Sequence, residues 1–232
     1  MLYVIATPIG NLEDMSYRAV RVLGEVQALA CEDTRRTRRI LERYTISVPG
    51  LLFSYHEHNE WRAGRKIIKL LEQDRDVALC TNAGYPGISD PGYRIIAGVR
   101  DLGMEVNVLP GAGAVATALV SSGLPSASYI FKGFLPKKRG PRRRMLALDG
   151  NSPHTIVLFE SPHRVGALLA DSLDVLGDRM ASVCIELTKK FEEVHRGYLG
   201  ELESKFREVR VKGEITVVVA GNSPKFIRDQ QS

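Results

Sequence analysis

The feature that most constrains the fold of this 232-residue chain is a regular alternation of short apolar runs with longer amphipathic stretches. In the first half, four apolar runs have the pattern of buried strands: Leu2–Ala6, Gln27–Cys31, Val77–Cys80 and Val106–Leu109. Between and after them, helical periodicity predicts helices at Tyr17–Leu23, Thr34–Tyr44, Asn59–Gln73, Tyr93–Leu102 and Ala114–Ser121. Continuous apolar strands separated by helices are typical of a mostly parallel sheet with helices on both faces. The first half is therefore predicted to be an α/β domain.

The second half of the chain has a different pattern, with more strands and fewer clear helices. Strands are predicted at Tyr129–Phe131, Thr155–Phe159, Ala181–Glu186, Glu192–Tyr198 and Glu214–Ala220, with Arg164–Leu176 as the clearest helix. Because the strand at 192–198 follows its neighbour closely, the sheet is expected to be mixed. The Gly123–Ser126 stretch is the predicted seam, which divides the chain into two α/β domains, 1–122 and 123–232.

Composition excludes several classes of protein. Hydrophobic residues make up 44% of the chain and charged residues 25%, which excludes a disordered chain, a collagen and a coiled coil. No apolar run approaches the roughly 18 residues that a membrane-spanning helix needs. The chain opens on an apolar run with no basic leader, and Cys31, Cys80 and Cys184 each lie in an apolar segment typical of a buried, reduced thiol. We expect a soluble cytoplasmic protein that is not associated with membranes.

The positive charge of the chain is concentrated in two places. The formal net charge is +5, and six cations without an acid lie within 137–144: Lys137, Lys138, Arg139, Arg142, Arg143 and Arg144. The remaining basic residues, 32 less these six, are slightly outnumbered by the 27 acidic ones. Gly140 and Pro141 indicate that this segment is at least partly a loop, and the second cluster is Arg35, Arg36, Arg38, Arg39 and Arg43. Such clusters are typical of phosphate-backbone binding, although a solvated helix face and a solubilising loop explain them equally well.

Three loops rich in glycine and proline each follow a predicted strand, at 7–11, 81–92 and 110–114. In open α/β sheets, ligands bind outside the carboxyl ends of the strands, so we expect a ligand pocket where these loops meet. The segment 111–116 formally matches a dinucleotide fingerprint, but no acidic residue follows at the position that would hold a ribose. The chain also lacks the glycine-rich lysine motif of P-loop nucleotide hydrolases and the serine elbow of α/β hydrolases.

Titratable side chains cluster in four segments that are each expected at the end of a strand, 32–33, 55–60, 160–164 and 186–193, although no strand bounds are predicted before 55. These clusters supply acid–base candidates on the same edge as the glycine loops. His56 and His58 lack a third spaced ligand, so no metal site is predicted. Asp33 and Asn59 are equally well explained as helix caps, and Arg164 as a charge at a helix start.

Taken together, these segments resemble the ribosomal RNA small subunit methyltransferase I family, within the tetrapyrrole-methylase class of S-adenosylmethionine enzymes. The matching stretches run in order from 3 to 197: YVIATPIGNLEDMSYRAV, CEDTRRT, SYHEHNE, AGYPGISDPGYR, LPGAGAVATALVSSGLP, GFLPKK, LFESPHR and ELTKKFEEVHRG. Two departures are visible. Asn82 stands where the family usually has aspartate, and Tyr85 where it has threonine.

The resemblance implies two domains of the tetrapyrrole-methylase type with S-adenosyl-L-methionine in the cleft between them, and a homodimer. It also implies 2′-O-methylation of a decoding-centre cytidine in 16S ribosomal RNA, on the naked RNA or on the small ribosomal subunit. By similarity, the cofactor-binding residues are Pro8, Gly10, Asn82, Ala83, Gly84, Tyr85, Pro86, Ile88, Gly113, Ala114, Glu160 and Thr188.

For the reaction itself, Asp33 or Glu32 is the candidate to orient or deprotonate the ribose hydroxyl. Arg35 and Arg36 are the candidates to hold flanking phosphates, and the six cations of 137–144 are predicted to bind RNA backbone. Two alternatives stay open at this point: a methylase of the same class acting on a small molecule such as a tetrapyrrole, and a non-catalytic module that binds ribosomal RNA.

Overall fold

The computed structural model describes residues 1–209 and 211–228. The chain divides into two compact units, Met1–Gly113 and Ala114–Ser232. The division lies before the helix at Ala114–Ser122, which the predicted domains assign to the first half. This helix belongs to the second unit because it packs against three strands of that unit's sheet.

The N-terminal unit is built on a five-stranded parallel sheet. Its strands, β1 to β5, are Leu2–Ile5, Ala28–Cys31, Leu51–Ser54, Val77–Cys80 and Val106–Leu109, in the order β3-β2-β4-β1-β5. Helices α1 to α4 are Tyr17–Glu25, Thr34–Arg43, Glu60–Leu71 and Tyr93–Asp101, and a 3-10 turn spans Leu12–Asp14. Two apolar clusters, one with α3 and α4 and the other with α1 and α2, contain side chains of the central strands, so the sheet is buried on both faces.

Side chains at the helix starts explain where α1 and α2 begin. Ser16 Oγ accepts a hydrogen bond from the Ala19 N–H, and Asp33 Oδ1 accepts one from the Arg35 N–H. Each bond satisfies a backbone donor that has no partner within its helix. The strand β3 was not predicted, because it is a four-residue edge strand whose side chains are all half-buried.

The C-terminal unit contains a mixed five-stranded sheet, as predicted. Strands β6 to β10 are Tyr129–Phe134, Thr155–Glu160, Met180–Ile185, Glu193–Tyr198 and Ile215–Val219, in the order β6-β7-β10-β8-β9. Only β6 and β7 run parallel as neighbours; the other pairs are antiparallel. Helices α5 to α8 are Ala114–Ser122, Arg139–Ala147, Val165–Leu176 and Leu199–Phe206, and a second 3-10 turn spans Pro224–Phe226.

Most of the predicted basic loop is the helix α6, which begins at Arg139. Gly140 and Pro141 lie in its first turn, where proline is tolerated because the backbone N–H has no helical partner. The three cysteines are buried and free, as their apolar surroundings predicted. Across residues 1–209 and 211–228, no helix is long and apolar enough to cross a membrane.

Candidate active site

The five strands of the N-terminal sheet are parallel, so the segments that follow them emerge at one edge. Two of these segments are joined directly. Thr7 and Gly84 form an antiparallel bridge through two backbone hydrogen bonds of 3.0 and 2.9 Å, and the Thr7 hydroxyl donates to the Thr81 carbonyl at 3.1 Å. The loops after β1 and β4 therefore form one continuous backbone surface.

Glycine is required at two positions of this surface. Gly84 has a φ of +73°, in the left-handed region that side chains disfavour. A Cβ atom on Gly111, in the loop after β5, would lie 3.1 Å from the Ala6 Cβ, so a side chain there would push the two loops apart by a few tenths of an ångström. The loops after β1, β4 and β5 thus meet at the carboxyl edge, which agrees with the geometry that the parallel sheet predicted.

Tyr85 links the loops after β4 and β5. Its hydroxyl accepts a hydrogen bond from the Gly111 N–H at 3.0 Å and donates to the Gly111 carbonyl at 3.4 Å. Its ring lies over Gly113, where a Cβ would be 3.5 Å from Tyr85 Cε2. The residue that departs from the family pattern is therefore a brace between two loops of the candidate site.

Glu32 and Asn82 connect the segments after β2 and β4. The Asn82 N–H donates to Glu32 Oε2 at 3.2 Å, while the Asn82 side-chain oxygen is buried and accepts no hydrogen bond from the described residues. A buried acceptor without a donor costs free energy unless a ligand or water supplies one. The surface therefore offers a preformed acceptor for an N–H or O–H group.

Asp33 is occupied by its neighbour Arg35. Arg35 donates to both carboxylate oxygens, from Nε to Oδ1 at 3.2 Å and from Nη2 to Oδ2 at 2.9 Å. These side-chain bonds, with the backbone N–H of Arg35, lower the pKa of Asp33 to about 2. A carboxylate with so low a pKa is a weak base, and in this structure the Asp33 side chain caps α2. Arg36 is exposed on the same helix.

The residues predicted from the C-terminal half lie at one edge of the second sheet. Glu160 and Ile185, at the ends of β7 and β8, both pair with Ile215 of the strand between them. Glu160 is 2% exposed; its Oε1 accepts from the Ser161 N–H at 2.7 Å, and its Oε2 lies 3.2 Å from Arg164 Nη2. The same Arg164 nitrogen donates to the carbonyls of Leu135 and Pro136, at 3.0 and 3.2 Å. Arg164 therefore anchors the loop after β6 to the end of β7.

The segment after β8 has an unusual backbone. Glu186 and Thr188 have φ angles of +51° and +65°, which non-glycine residues rarely adopt. The strained turn is held by Lys189, which donates to Glu186 at 2.7 Å and to Glu214 at 3.1 Å, and the Thr188 N–H donates to a carboxylate oxygen of Glu192 at 2.6 Å. Backbone strain of this kind persists only where the surroundings determine it, and it is typical of functional segments.

The cations of 137–144 do not form a uniform surface. Arg142 is 5% exposed and donates from Nε to Asp171, itself 2% exposed, at 2.7 Å. Arg139 and Arg143 also contact Asp171 and its neighbour Asp174. Arg142, which the sequence predicts to bind RNA, is therefore buried against an aspartate and does not face solvent in this structure. Lys137, Lys138 and Arg144 are exposed, and no ion pair involves them within 1–209 and 211–228.

The other predicted cofactor residues lie on these same segments. Pro8 and Pro86 are buried, Ala83 is partly buried, and Gly10 and Ile88 are exposed in their loops, while Ala114 begins α5. The sequence patterns single out Tyr85 and Arg164, but they do not indicate that Tyr85 braces two loops or that Arg164 anchors the loop after β6. Both depend on contacts between distant segments, so no local signal identifies them.

A sequence model of the tetrapyrrole (corrin/porphyrin) methylases matches residues 1–203. The chain belongs to this family. It is 45% identical over 97% of its length to a protein of Halalkalibacterium halodurans named ribosomal RNA small subunit methyltransferase I, covering 77% of that protein. It is 41% identical over 95% of its length to the protein of that name from Thermotoga maritima, covering 98% of it.

Solved structures of this family share the fold. The methyltransferase CobJ matches with a TM-score of 0.70 at 15% identity, covering 95% of this chain and 94% of that one. A uroporphyrin-III C-methyltransferase from Thermus thermophilus, complexed with S-adenyl homocysteine, matches with a TM-score of 0.61 at 18% identity, covering 94% and 96%. The predicted family and the fold of two α/β domains are thus confirmed.

Proposed function

We propose that this protein transfers a methyl group from S-adenosyl-L-methionine to the ribose 2′-oxygen of a decoding-centre cytidine in 16S ribosomal RNA. The observation that carries the proposal is the identity of 41 to 45% to proteins named ribosomal RNA small subunit methyltransferase I, over nearly the whole chain. Identity to the corrin and porphyrin methylases of known structure is only 15 to 19%, which favours an RNA substrate over a tetrapyrrole.

The residues of the carboxyl edge fit the cofactor. The bridged loops after β1 and β4 form a continuous backbone surface, and the buried Asn82 side-chain oxygen beside it has no donor among the described residues. S-adenosylmethionine carries amine and hydroxyl donors that such an acceptor would bind. We assign its binding to the loops containing Pro8, Gly84 and Gly113 of the first unit. Glu160 and Thr188 of the second unit stay predicted cofactor residues.

The bound cofactor supplies an electrophilic methyl group for direct displacement. The protein must therefore hold the ribose oxygen in line with it and accept a proton from the hydroxyl, and positioning is the larger contribution. Glu32 is the better candidate base of the two acidic neighbours. One of its oxygens receives the Asn82 N–H, whereas both oxygens of Asp33 are bound by Arg35.

The proposed partners are 16S ribosomal RNA or the small ribosomal subunit, which places the enzyme in the cytoplasm. The exposed cations Arg36, Lys137, Lys138 and Arg144 are proposed to contact RNA backbone. The homodimer stays a prediction, which sedimentation of the purified protein would test.

Calorimetry with S-adenosylmethionine tests whether the protein binds the proposed cofactor. Saturable binding at one site per chain is expected, because the loop surface is formed before the ligand arrives. No binding would contradict the methyltransferase assignment and favour a non-catalytic RNA-binding module.

Replacing Tyr85 by phenylalanine tests the brace between the two loops. The ring over Gly113 remains, but the two hydrogen bonds to Gly111 are lost. A bond of this kind contributes about 1 kcal/mol, so cofactor affinity is expected to fall by about fivefold. Tyr93→Phe, on an exposed tyrosine at the start of α4, is the matched control. Equal affinities for wild type and Tyr85→Phe would show that the brace does not shape the cofactor surface.

A further inference from the structure

The outward face of α3 carries a stripe of four cations that the sequence patterns did not single out. The four cations are Arg62, Arg65, Lys66 and Lys69, and all are exposed. The last three follow Arg62 by three, four and seven residues, which places all four on one side of the helix. None of them forms an ion pair with a residue in 1–209 or 211–228. The opposite side of α3 is apolar and packs into the core through Ala63, Ile67, Leu70 and Leu71.

This stripe differs from the basic helix α6. Three of the six cations around α6 are held by Asp171 and Asp174. Two of the α3 cations contact aromatic rings instead: the Arg65 guanidinium lies 5.8 Å from the centre of the Trp61 ring, and Lys66 Nζ lies 4.2 Å from that of Phe53. Cation–π contacts leave the positive charge in place, so the stripe keeps its full charge for a partner.

Two exposed aromatic side chains lie at the start of this surface. Trp61 is 75% exposed at the beginning of α3, and Tyr93 is 74% exposed at the beginning of α4. Glu60 ties the two helix starts together, because its Oε1 accepts from the Gly92 N–H at 3.4 Å and its Oε2 lies 3.7 Å from Arg94 Nε. Since α3 and α4 follow β3 and β4 of the parallel sheet, both rings lie at the carboxyl edge that carries the candidate active site.

We propose that the α3 stripe, with Trp61 and Tyr93, binds a single-stranded segment of RNA. The proposal rests on the proposed function and assigns the surface that would hold the RNA near the reacting nucleotide. The cations span about 10 Å along the helix and would neutralise phosphates, while the exposed rings would stack on unpaired bases. A protein partner fits this face less well, because protein interfaces are depleted in lysine and two of the four cations are lysines.

The chain contains a single tryptophan, which makes Trp61 a direct reporter of this surface. Its fluorescence should be followed during titration with a single-stranded RNA oligonucleotide of decoding-centre sequence at several salt concentrations. We expect saturable quenching, because a base stacks on the indole. Trp61→Ala, followed with an end-labelled oligonucleotide, should bind about tenfold more weakly, and Trp61→Phe should recover most of that loss.

Charge removal tests the phosphate contacts. Substituting all four stripe cations by glutamine should reduce the slope of log affinity against log salt by about 3 and weaken binding at least tenfold. The matched control substitutes four exposed arginines elsewhere on the same unit, Arg18, Arg21, Arg75 and Arg100, and should leave the slope nearly unchanged. Equal slopes for wild type and the stripe variant would overturn the proposal. A stripe variant that changes the sedimentation coefficient instead would show that the face binds a second copy of the chain.

Methyl transfer to small ribosomal subunits separates this proposal from the function on which it rests. If the wild type methylates subunits and the stripe variant shows a raised KM with an unchanged kcat, the surface proposal and the proposed function both stand. If the stripe variant has the wild-type KM, the surface proposal fails and the function stands. If the wild type transfers no methyl group while the oligonucleotide still quenches Trp61 in a salt-dependent way, the function fails and the RNA surface stands.

Discussion

Replacing Arg142 by methionine is expected to lower the free energy of unfolding of the C-terminal unit by about 3 kcal/mol. Asp171 is 2% exposed, and Arg142, which donates a hydrogen bond to it, is itself buried. Removing one partner of a buried ion pair leaves the other charge desolvated, which costs more than the pair itself contributes. Arg139 and Arg143 still contact Asp171 from its more exposed side, so we place the expected loss at the lower end of the range for buried pairs.

Thermal unfolding followed by circular dichroism measures this effect, with an expected fall of roughly 10 °C in the Tm of the C-terminal unit. Arg144→Met is the matched control, because Arg144 lies on the same helix, is exposed and has no acidic partner in the described part of the chain. The double variant Arg142→Met with Asp171→Leu should recover much of the loss, since it removes both buried charges. A single variant as stable as the wild type would contradict the assignment of Arg142 to the core.

The same pair predicts a pH dependence. Burial raises the pKa of Asp171, but hydrogen bonds from Arg142 and Arg139 outweigh it and leave the pKa below its ordinary value. A lowered folded-state pKa contributes stability that is present above the unfolded-state pKa of about 3.9 and is lost as the pH falls through the folded-state value. The difference in Tm between wild type and Arg142→Met should therefore be largest near neutral pH and shrink in acid.

Replacing Glu32 by glutamine is expected to lower kcat for RNA methylation by about 100-fold, in the range of a lost general base. Glutamine keeps an oxygen that can accept the Asn82 N–H, so the loop after β4 should hold its position. Cofactor affinity should therefore change little, and the loss should appear in kcat.

Asp33→Asn is the matched comparison for Glu32→Gln. Its side chain can still cap α2, and in the wild type a pKa of about 2 already makes this carboxylate a weak base. We therefore expect a much smaller loss of turnover than for Glu32→Gln, measured with the same subunits and cofactor concentration. Full turnover with an unchanged pH profile in both variants would show that neither residue accepts the proton.

Much of the fold follows from local patterns. The buried strands β1, β2 and β4 are continuous apolar runs, and their parallel arrangement follows from the helices between them. The predicted strand β5 is present but is not buried, because it lies at the edge of the sheet with Asn107 and Val108 exposed. The edge strand β3 carries half-buried side chains and lacks this signal, and the first turn of α6 contains a glycine and a proline that indicate a turn. Local sequence patterns thus predict the elements that are buried in the core. They fail where contacts between distant segments determine whether a segment is a strand, a helix or a loop.

The candidate site, too, could be predicted only in part from local sequence patterns. The convergence of the glycine loops could be predicted, because parallel strands end at one edge. The partners of each side chain could not, since the contacts of Arg142 with Asp171 and of Arg164 with Leu135 join residues far apart in sequence. The α3 stripe differs, because the spacing of its four cations is visible in the sequence, but the segment is less densely basic than 35–43 and 137–144.

The most direct test of the central claim is transfer of labelled methyl from S-adenosylmethionine to small ribosomal subunits that lack the modification, followed by nucleoside analysis. The proposed function predicts that the label is recovered as 2′-O-methylcytidine from 16S ribosomal RNA, and that Glu32→Gln yields far less of it. Label in another nucleoside, or no label in RNA despite measurable cofactor binding, would contradict the claim and favour a methylase of the same family that acts on a different substrate.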